Sequence, residues 1–130
     1  MKTEESNGPT RVVLKGMGGR ITLTKRMLSK SIIDANKSIT VFLKEHVTLS
    51  GYDDIGNGEK VVHNAVLSTF DAQEVLETTI TLYRRPRGDK LLSIQNLSKL
   101  AKEGDTVMFD LMDGDIWMVV HTPSELEEAA

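Results

Sequence analysis

The fold is decided by the stretch LSIQNLSKLAKEGDTVMFDLMDGDIWMVV, residues 92–120, in which strand and helix patterns follow one another. A short apolar strand pattern leads into a helical pattern, and two further strand patterns complete the stretch. The dipeptide Asp113-Gly114 between the last two patterns is typical of a tight hairpin turn. The four patterns occupy, in order, residues 90–94, 95–102, 105–112 and 115–121.

Strand patterns also dominate the rest of the chain. β-Branched residues recur, or apolar and polar residues alternate, in five further segments, which are 11–16, 20–24, 38–49, 60–68 and 76–85. A second short helical pattern covers 24–33. Strands this numerous and short, separated by turn residues, are typical of a small barrel or closed sandwich.

The two helical segments belong to an internal similarity. RITLTKRMLSKSI, with SITVFL after it, resembles LLSIQNLSKLAKEGDTVMFDL, because each contains a strand, a helix with Leu-Ser-Lys and a strand with a central phenylalanine, Phe42 or Phe109. A duplicated unit would close a pseudo-symmetric barrel, since each copy pairs the edges that the other exposes. Two unrelated strand-helix transitions are the alternative. We predict a mostly β fold, a small pseudo-symmetric β-barrel of about seven or eight strands with one or two short helices.

The length of 130 residues corresponds to one domain with one core. We expect residues 1–10 to be a disordered tail and 11–121 to form the single β-barrel domain. Residues 122–130 read as an acidic C-terminal tail, with a short or frayed helix capped at Ser124.

The absence of cysteine excludes disulfides, thiolate zinc sites and thiol nucleophiles. The polar start MKTEESNGPT does not have the pattern of a signal peptide, and no apolar run approaches the ~20 residues of a membrane helix. We therefore expect a soluble, cytoplasmic protein with no membrane partner.

Charge is distributed unevenly along the chain, although the net charge is only −3. Residues 11–102 carry fifteen Lys and Arg against nine Asp and Glu, whereas residues 103–130 carry eight acids and no base. One basic and one acidic face would follow, and a basic face suits a polyanionic partner. Thirteen of these fifteen cations form two groups, which are Arg11, Lys15, Arg20, Lys25, Arg26, Lys30 and Lys37, then Arg84, Arg85, Arg87, Lys90, Lys99 and Lys102.

The densest cation cluster is LYRRPRGDK, residues 82–90. Because proline cannot donate to a strand ladder and Gly88-Asp89 favours a turn, Arg84, Arg85 and Arg87 should lie on an exposed hairpin tip. Arginine binds phosphate or a guanine edge with a planar fork of donors. The alternative is a surface loop that protects an edge strand from aggregation.

The segment GMGGR, residues 16–20, is the counterpart in the first half. Its glycines would allow close backbone approach to a phosphate near Arg20, Lys25 and Arg26, or they simply connect two strands.

The stretch 92–120 also resembles the half-barrel of the transition-state-regulator (AbrB-like) family, with a strand, a short helix, a Gly-Asp turn at Gly104-Asp105 and two more strands. RITLTKRML, residues 20–28, is similar to the opening of the same unit. Two such units in one chain resemble the cradle-loop barrel DNA-binding domains of plant transcription factors (the B-three type) and of the effector-reading domain of some restriction endonucleases. The resemblance covers roughly 70 residues and implies a barrel that grips the DNA major groove with two arms.

These observations predict a non-catalytic domain that binds double-stranded DNA, by sequence or by structure, with two basic arms. The predicted partner is a nucleic acid, with DNA favoured over RNA, and no cofactor or metal is expected. Gln95 or Asn96 would pair with adenine if their junction enters the groove, or else serve as helix caps. The predicted nucleic-acid-binding residues are Arg20, Lys25, Arg26, Arg84, Arg85, Arg87, Lys90, Gln95 and Asn96.

Catalytic patterns are incomplete. His46, His63 and His121 are far apart and lack metal-ligand spacing, so we interpret them as structural or exposed. Three aspartates, Asp110, Asp113 and Asp115, lack the remaining ligands of a calcium loop. We therefore predict no enzyme activity.

The alternative function is a small phage or bacterial protein-binding module, an inhibitor or adaptor, that presents its acidic face to a basic partner. Alternation places Asp110 and Asp115 on the surface. Of Trp117 and Met118 one must face outward; we expect Trp117 in the core, and an exposed tryptophan would favour this alternative. A homodimer is a third arrangement, although two halves in one chain make a monomer sufficient. The acidic residues are Glu103, Asp105, Asp110, Asp113, Asp115, Glu125, Glu127 and Glu128.

Overall fold

The structure, a computed structural model, describes residues 19–46 and 55–129. The predicted tail at 1–10 and the predicted strand at 11–16 lie outside the described residues. The strands are β1 (Arg20–Thr22), β2 (Ile33–Asp34), β3 (Lys60–Thr69), β4 (Val75–Arg84), β5 (Lys90–Ile94), β6 (Thr106–Met112) and β7 (Asp115–His121). The helices are α1 (Lys25–Lys30), α2 (Lys37–His46), α3 (Leu97–Leu100) and α4 (Pro123–Ala129).

All seven of these strands join one sheet in the order β1-β6-β7-β3-β4-β5-β2. Every neighbouring pair is antiparallel except β7 and β3, which run parallel. The sheet curls into a half-barrel around the core. The predicted mostly β, barrel-like fold is confirmed, with four short helices in the described residues instead of one or two.

Alternation explains the central strands. In β4, Ile80 and Leu82 are fully buried, whereas Thr79 and Thr81 on the opposite face are partly exposed. Strand β3 has the same pattern at Ala65 and Leu67, so one face of the sheet packs on the core and the other faces outward.

The turn between β6 and β7 is the predicted hairpin. Asp113 and Gly114 have φ values of 52° and 84°, and positive φ at both central residues is the requirement of a type I′ turn. Aspartate tolerates this conformation better than most residues do, and glycine adopts it without a steric penalty.

Helix α2 occupies residues 38–46 of the strand predicted at 38–49, and for these residues the prediction is wrong. Residues 47–49 lie outside the described residues. Ile39, Phe42 and Leu43 are buried at a spacing of three and four residues, which places them on one helix face. The side chain of Asn36 accepts a hydrogen bond from the Ile39 backbone N–H at 3.0 Å, which satisfies a donor of the first turn. The Phe42 ring packs on Phe109 of β6, with 6.2 Å between ring centroids.

Two strand-helix-strand units pair with each other through both of their strands. The first is β1-α1-β2 and the second is β5-α3-β6. Strand β1 pairs with β6, and β2 pairs with β5, so each unit supplies the neighbour that the other needs. This reciprocal pairing is what the predicted pseudo-symmetry requires, although the first phenylalanine of the proposed repeat, Phe42, lies in a helix and not in a strand.

The first unit is tied to the start of α2. Asn36 Nδ2 donates to the Arg20 carbonyl oxygen at 2.8 Å. A Cβ atom on Gly19 would lie 2.5 Å from the Ile39 backbone nitrogen, so only glycine fits there. The close approach at Gly19 is therefore to the protein's own backbone. The other glycines of this segment, residues 16 and 18, lie outside the described residues.

Two side chains, Asp110 and Trp117, differ from prediction. Asp110 lies opposite Phe109 as alternation requires, but it is fully buried and not on the surface, because that face of β6 is also covered there. Met118 is the core residue of its pair, and Trp117 on the other face of β7 is half-buried. Asp115 is exposed, as predicted.

Helix α4 begins with a capping box at Thr122. The Thr122 hydroxyl accepts from the Glu125 N–H at 3.2 Å, and the Glu125 carboxylate accepts from the Thr122 N–H at 2.9 Å. The helix was expected, but its cap is Thr122 and not Ser124. Within 19–46 and 55–129, none of the helices has the length and apolar character needed to cross a membrane.

Candidate nucleic-acid interface

The arginine-rich loop lies between β4 and β5. Gly88, with φ of 101°, donates from its N–H to the Arg85 carbonyl at 2.7 Å, and the Arg85 N–H donates to the Asp89 carbonyl at 2.9 Å. Pro86 and Arg87 are exposed at the tip of this turn, as predicted, and Arg85 is half-buried beside them. Arg84 differs from the prediction, because it is the last residue of β4 and is half-buried. In the strand order, β4 lies between β3 and β5, and β5 lies between β4 and β2, so neither strand of this hairpin is an outermost strand of the sheet.

Helix α1 faces this loop across a cleft. The helix begins after Thr24, whose hydroxyl accepts from the Met27 N–H at 3.2 Å, and it ends at Ser31 in a left-handed conformation, with φ of 55°. Its exposed residues include Lys25, Arg26 and Lys30.

The cleft between α1 and the loop has a volume of about 350 Å³, and we call it the cationic cleft. Two cations come from α1 and two from the loop. Four cations against two carboxylates leave an excess of two positive charges. The charged lining residues are Arg26, Lys30, Arg85 and Arg87, with Asp34 and Asp89 as the carboxylates.

Asp89 interacts with both guanidinium groups of the loop. Its Oδ2 lies 2.7 Å from Arg87 Nε and 3.7 Å from Arg85 Nη1. One carboxylate cannot neutralise two guanidiniums, and the Arg87 side chain is 70 % exposed. Exposed ion pairs are weak because water screens them, so the arginines can exchange this carboxylate for another anion.

A second cleft, of about 400 Å³, continues from the first and shares Met27 with it. We call it the polar cleft because hydroxyl and amide side chains dominate its lining. Gln95 is exposed there and Asn96 is half-buried. The polar lining residues are Ser31, Thr79, Thr81, Ser93, Gln95, Asn96 and Ser98.

A third, acidic cleft of about 420 Å³ adjoins the polar cleft, with which it shares Thr79 and Gln95, and we call the three clefts together the concave surface. Glu77 and Asp115 line the acidic cleft together with Asn64. The three clefts therefore differ in charge, since cations dominate the first, hydroxyls and amides the second and carboxylates the third, and a polyanion would favour the first.

The nine predicted residues separate into two sets. Five line the cationic or the polar cleft, which are Arg26, Arg85, Arg87, Gln95 and Asn96. Four do not line them, which are Arg20, Lys25, Arg84 and Lys90. Arg84 Nη1 donates to the Ile55 carbonyl at 3.1 Å, and Lys90 is paired with Arg84 in the sheet, so both lie at the other face of the hairpin.

Sequence reasoning missed two features of this surface. Lys30 was counted among the cations but was not selected, although it lies four residues after Arg26 and so on the same helix face. Thr79 and Thr81 were also missed, and their signal was the alternation of β4, which leaves its threonines opposite the buried Ile80 and Leu82.

The histidines lie away from these clefts. His121 is buried against Phe70, with 4.7 Å between ring centroids, and its Nδ1 lies 3.2 Å from the Val119 carbonyl oxygen. Burial lowers the pKa of His121, and it lowers the pKa of His63 as well. Among the residues that the structure describes, no three His, Asp or Glu side chains converge as metal ligands would. The side chain of His46 lies outside that description.

No protein-family model matches the chain, and comparisons with curated proteins and with solved structures found no significant similarity.

Proposed function

We propose that this chain is a non-catalytic DNA-binding domain that holds a phosphate backbone in the cationic cleft and bases over the polar cleft. The observation that supports this most strongly is the convergence of Arg26 and Lys30 from one segment with Arg85 and Arg87 from another. Scattered surface cations would not line the two walls of one cleft.

The chemistry of these four side chains suits phosphate. Arg85 and Arg87 present planar donor forks, and Lys30 adds a compact charge. Each phosphate contact releases counterions, so the logarithm of the binding constant should fall with the logarithm of salt concentration by about 0.9 per contact. Up to four such contacts would give a slope of about −4 or shallower.

The size of the cationic cleft limits how DNA can lie in it. A cleft of about 350 Å³ is too small to enclose a duplex, but it can hold a short stretch of one phosphodiester backbone. The exposed tip at Pro86 and Arg87 would then enter the adjacent groove, with the hydroxyl and amide side chains of the polar cleft facing the base edges.

Fluorescence anisotropy with a labelled random-sequence duplex, across a salt series, tests this proposal. Single-stranded DNA and RNA of the same length are measured in parallel. We expect the duplex to bind most tightly, and the double variant Arg85→Ala/Arg87→Ala to weaken binding and flatten the salt slope. Arg20→Ala removes an exposed arginine of the edge strand β1 and serves as the control. Undetectable binding at low salt, or equal loss in the control, would contradict the proposal.

A negative result would favour the alternative of a protein-binding module. Its acidic face is smaller than the sequence indicates, because Asp105 and Asp110 are buried. The exposed acids of the described last third are Glu103, Asp113, Asp115 and Glu127. Trp117 is half-buried, so it does not provide the exposed aromatic anchor that this alternative would use.

A further inference from the structure

Gln95 makes three hydrogen bonds, two through its backbone and one through its exposed side chain. Its backbone N–H donates to the Thr79 carbonyl oxygen at 3.1 Å, and its own carbonyl accepts from the Thr78 hydroxyl. The Thr79 hydroxyl donates to the side-chain oxygen Oε1 at 3.1 Å. An exposed glutamine would ordinarily sample several rotamers, and the hydrogen bond from Thr79 favours one of them.

The position of Gln95 adds to this observation. Gln95 lies where the polar and acidic clefts meet, and it lines both of them. The next residue, Asn96, has φ of 67°, and its side chain makes no capping hydrogen bond to α3. The junction therefore has a defined backbone path and presents two amides to the concave surface.

The hydrogen bond from Thr79 determines what Gln95 can offer. Because Oε1 already accepts the Thr79 proton, the amide is oriented with Nε2 as its outward group. Within 19–46 and 55–129, no acceptor binds Nε2. A pre-oriented donor on a concave polar surface is the arrangement expected of a specificity group, since its entropy cost has been met by folding.

We infer that Gln95 reads a base edge by donating from Nε2 to guanine O6 or thymine O4, the positions at which adenine and cytosine carry an amino donor instead. This inference rests on the proposed function and makes it more specific. Adenine, the base suggested by the sequence alone, pairs fully with glutamine only when Oε1 accepts from its N6 amino group. Thr79 takes one of the two lone pairs of Oε1 and turns this atom towards β4, which disfavours that pairing. The polar cleft is thus a base-binding subsite next to the phosphate-binding cationic cleft.

A pool of duplexes with randomised sequence, followed by sequencing of the bound fraction, tests the inference. The unmodified chain should enrich guanine or thymine at one position by about fivefold or more. Gln95→Glu retains the shape and can still accept from the Thr79 hydroxyl, but it replaces the donor with an acceptor. Its preference at that position should move to cytosine or adenine, which offer the N4 and N6 donors.

A second variant tests whether the orientation of the Gln95 amide matters, and not only its presence. Thr79→Val removes one hydroxyl, keeps the β-branched shape of the strand and leaves Gln95 in place. We expect the preference to weaken and to spread to adenine, with the salt slope unchanged. Thr81→Val is the matched control, because Thr81 lines the same cleft but makes no hydrogen bond to Gln95.

The outcomes distinguish this inference from the proposed function. If the pool binds but Gln95→Glu leaves every base preference unchanged, or the unmodified chain has no preference, the inference about Gln95 is wrong and the DNA-binding proposal stands. If the unmodified chain does not bind the pool, both are wrong.

Discussion

Asp89 and Arg87 form an ion pair, with 2.7 Å between Oδ2 and Nε, inside the cleft that we propose for phosphate. The carboxylate occupies the kind of position that a phosphate oxygen would take. Asp89→Asn should therefore increase duplex affinity at low salt, because two guanidiniums lose a competing anion. If one additional phosphate contact forms, the salt slope should steepen by about 0.9.

The control for this variant is Asp113→Asn, which makes the same charge change in a turn outside the clefts and at a φ that asparagine also tolerates. Anisotropy titrations of both variants measure the difference. Equal tightening in the two would mean that only net charge matters, and weaker binding of Asp89→Asn would show that the carboxylate organises the loop.

Arg26 and Lys25 are adjacent cations on α1, but only Arg26 lines the cationic cleft. Arg26→Ala should weaken duplex binding and reduce the salt slope by about 0.9, whereas Lys25→Ala should change either quantity little. Alanine favours the helix in both variants, so helix stability does not separate them. Equal losses would indicate a diffuse electrostatic field in place of a defined cleft.

His121 predicts how stability depends on pH. Burial lowers its folded pKa below the ordinary value of 6.5, an effect that Arg20 increases and that Glu125 and the Val119 carbonyl oppose. The unfolded state then binds protons more readily than the folded state. The contribution of His121 to the free energy of unfolding is therefore fully present above pH 6.5, and it is lost as the pH decreases towards the folded pKa. His63, whose pKa is also lowered, acts in the same direction.

Urea unfolding at about pH 7.5 and about pH 5.5 measures this effect. In His121→Gln the difference between the two conditions should shrink, even though the variant is less stable at both. Stability that increases on acidification would contradict the assignment.

Phe42 and Val41 are neighbours in α2 with opposite environments, since Phe42 is 1 % exposed and Val41 is 41 % exposed. Phe42→Ala should lower the free energy of unfolding by about 3–5 kcal/mol, because it leaves a cavity against Phe109. Val41→Ala should change it by about 0.5 kcal/mol or less. Chemical denaturation of both variants checks this, and a similar small effect would argue against α2 as a core element.

Sequence patterns located most of the sheet because its strands obey simple alternation. Ile80 and Leu82 alternate with threonines, and Asp113-Gly114 has the chemistry of its turn, so both features were predictable. The segment at 38–49 failed because Ile39, Thr40 and Val41 favour strands by propensity. Burial of Ile39 with Phe42 and Leu43 against the sheet outweighed that propensity. The spacing of those three residues, at i, i+3 and i+4, is typical of one face of a helix and would have indicated it.

The site was predictable only in part. The cluster at 84–87 was evident from composition, but which arginine faces the cleft depends on strand pairing. Arg84 belongs to β4 and donates to Ile55, whereas Arg85 and Arg87 follow the strand and line the cleft. The convergence with α1 depends on pairing of β2 with β5, a contact between distant parts of the chain that no local pattern encodes.

The exchange of neighbours between β1-α1-β2 and β5-α3-β6 makes this domain suited to fragment complementation. Cleavage between residues 46 and 55 would separate the two outermost strands of the sheet from β6 and β5. Each piece alone would then lack the partner edges it needs, whereas mixing the pieces should restore a folded molecule. If duplex binding is regained only on mixing, DNA binding would report the association of the two fragments.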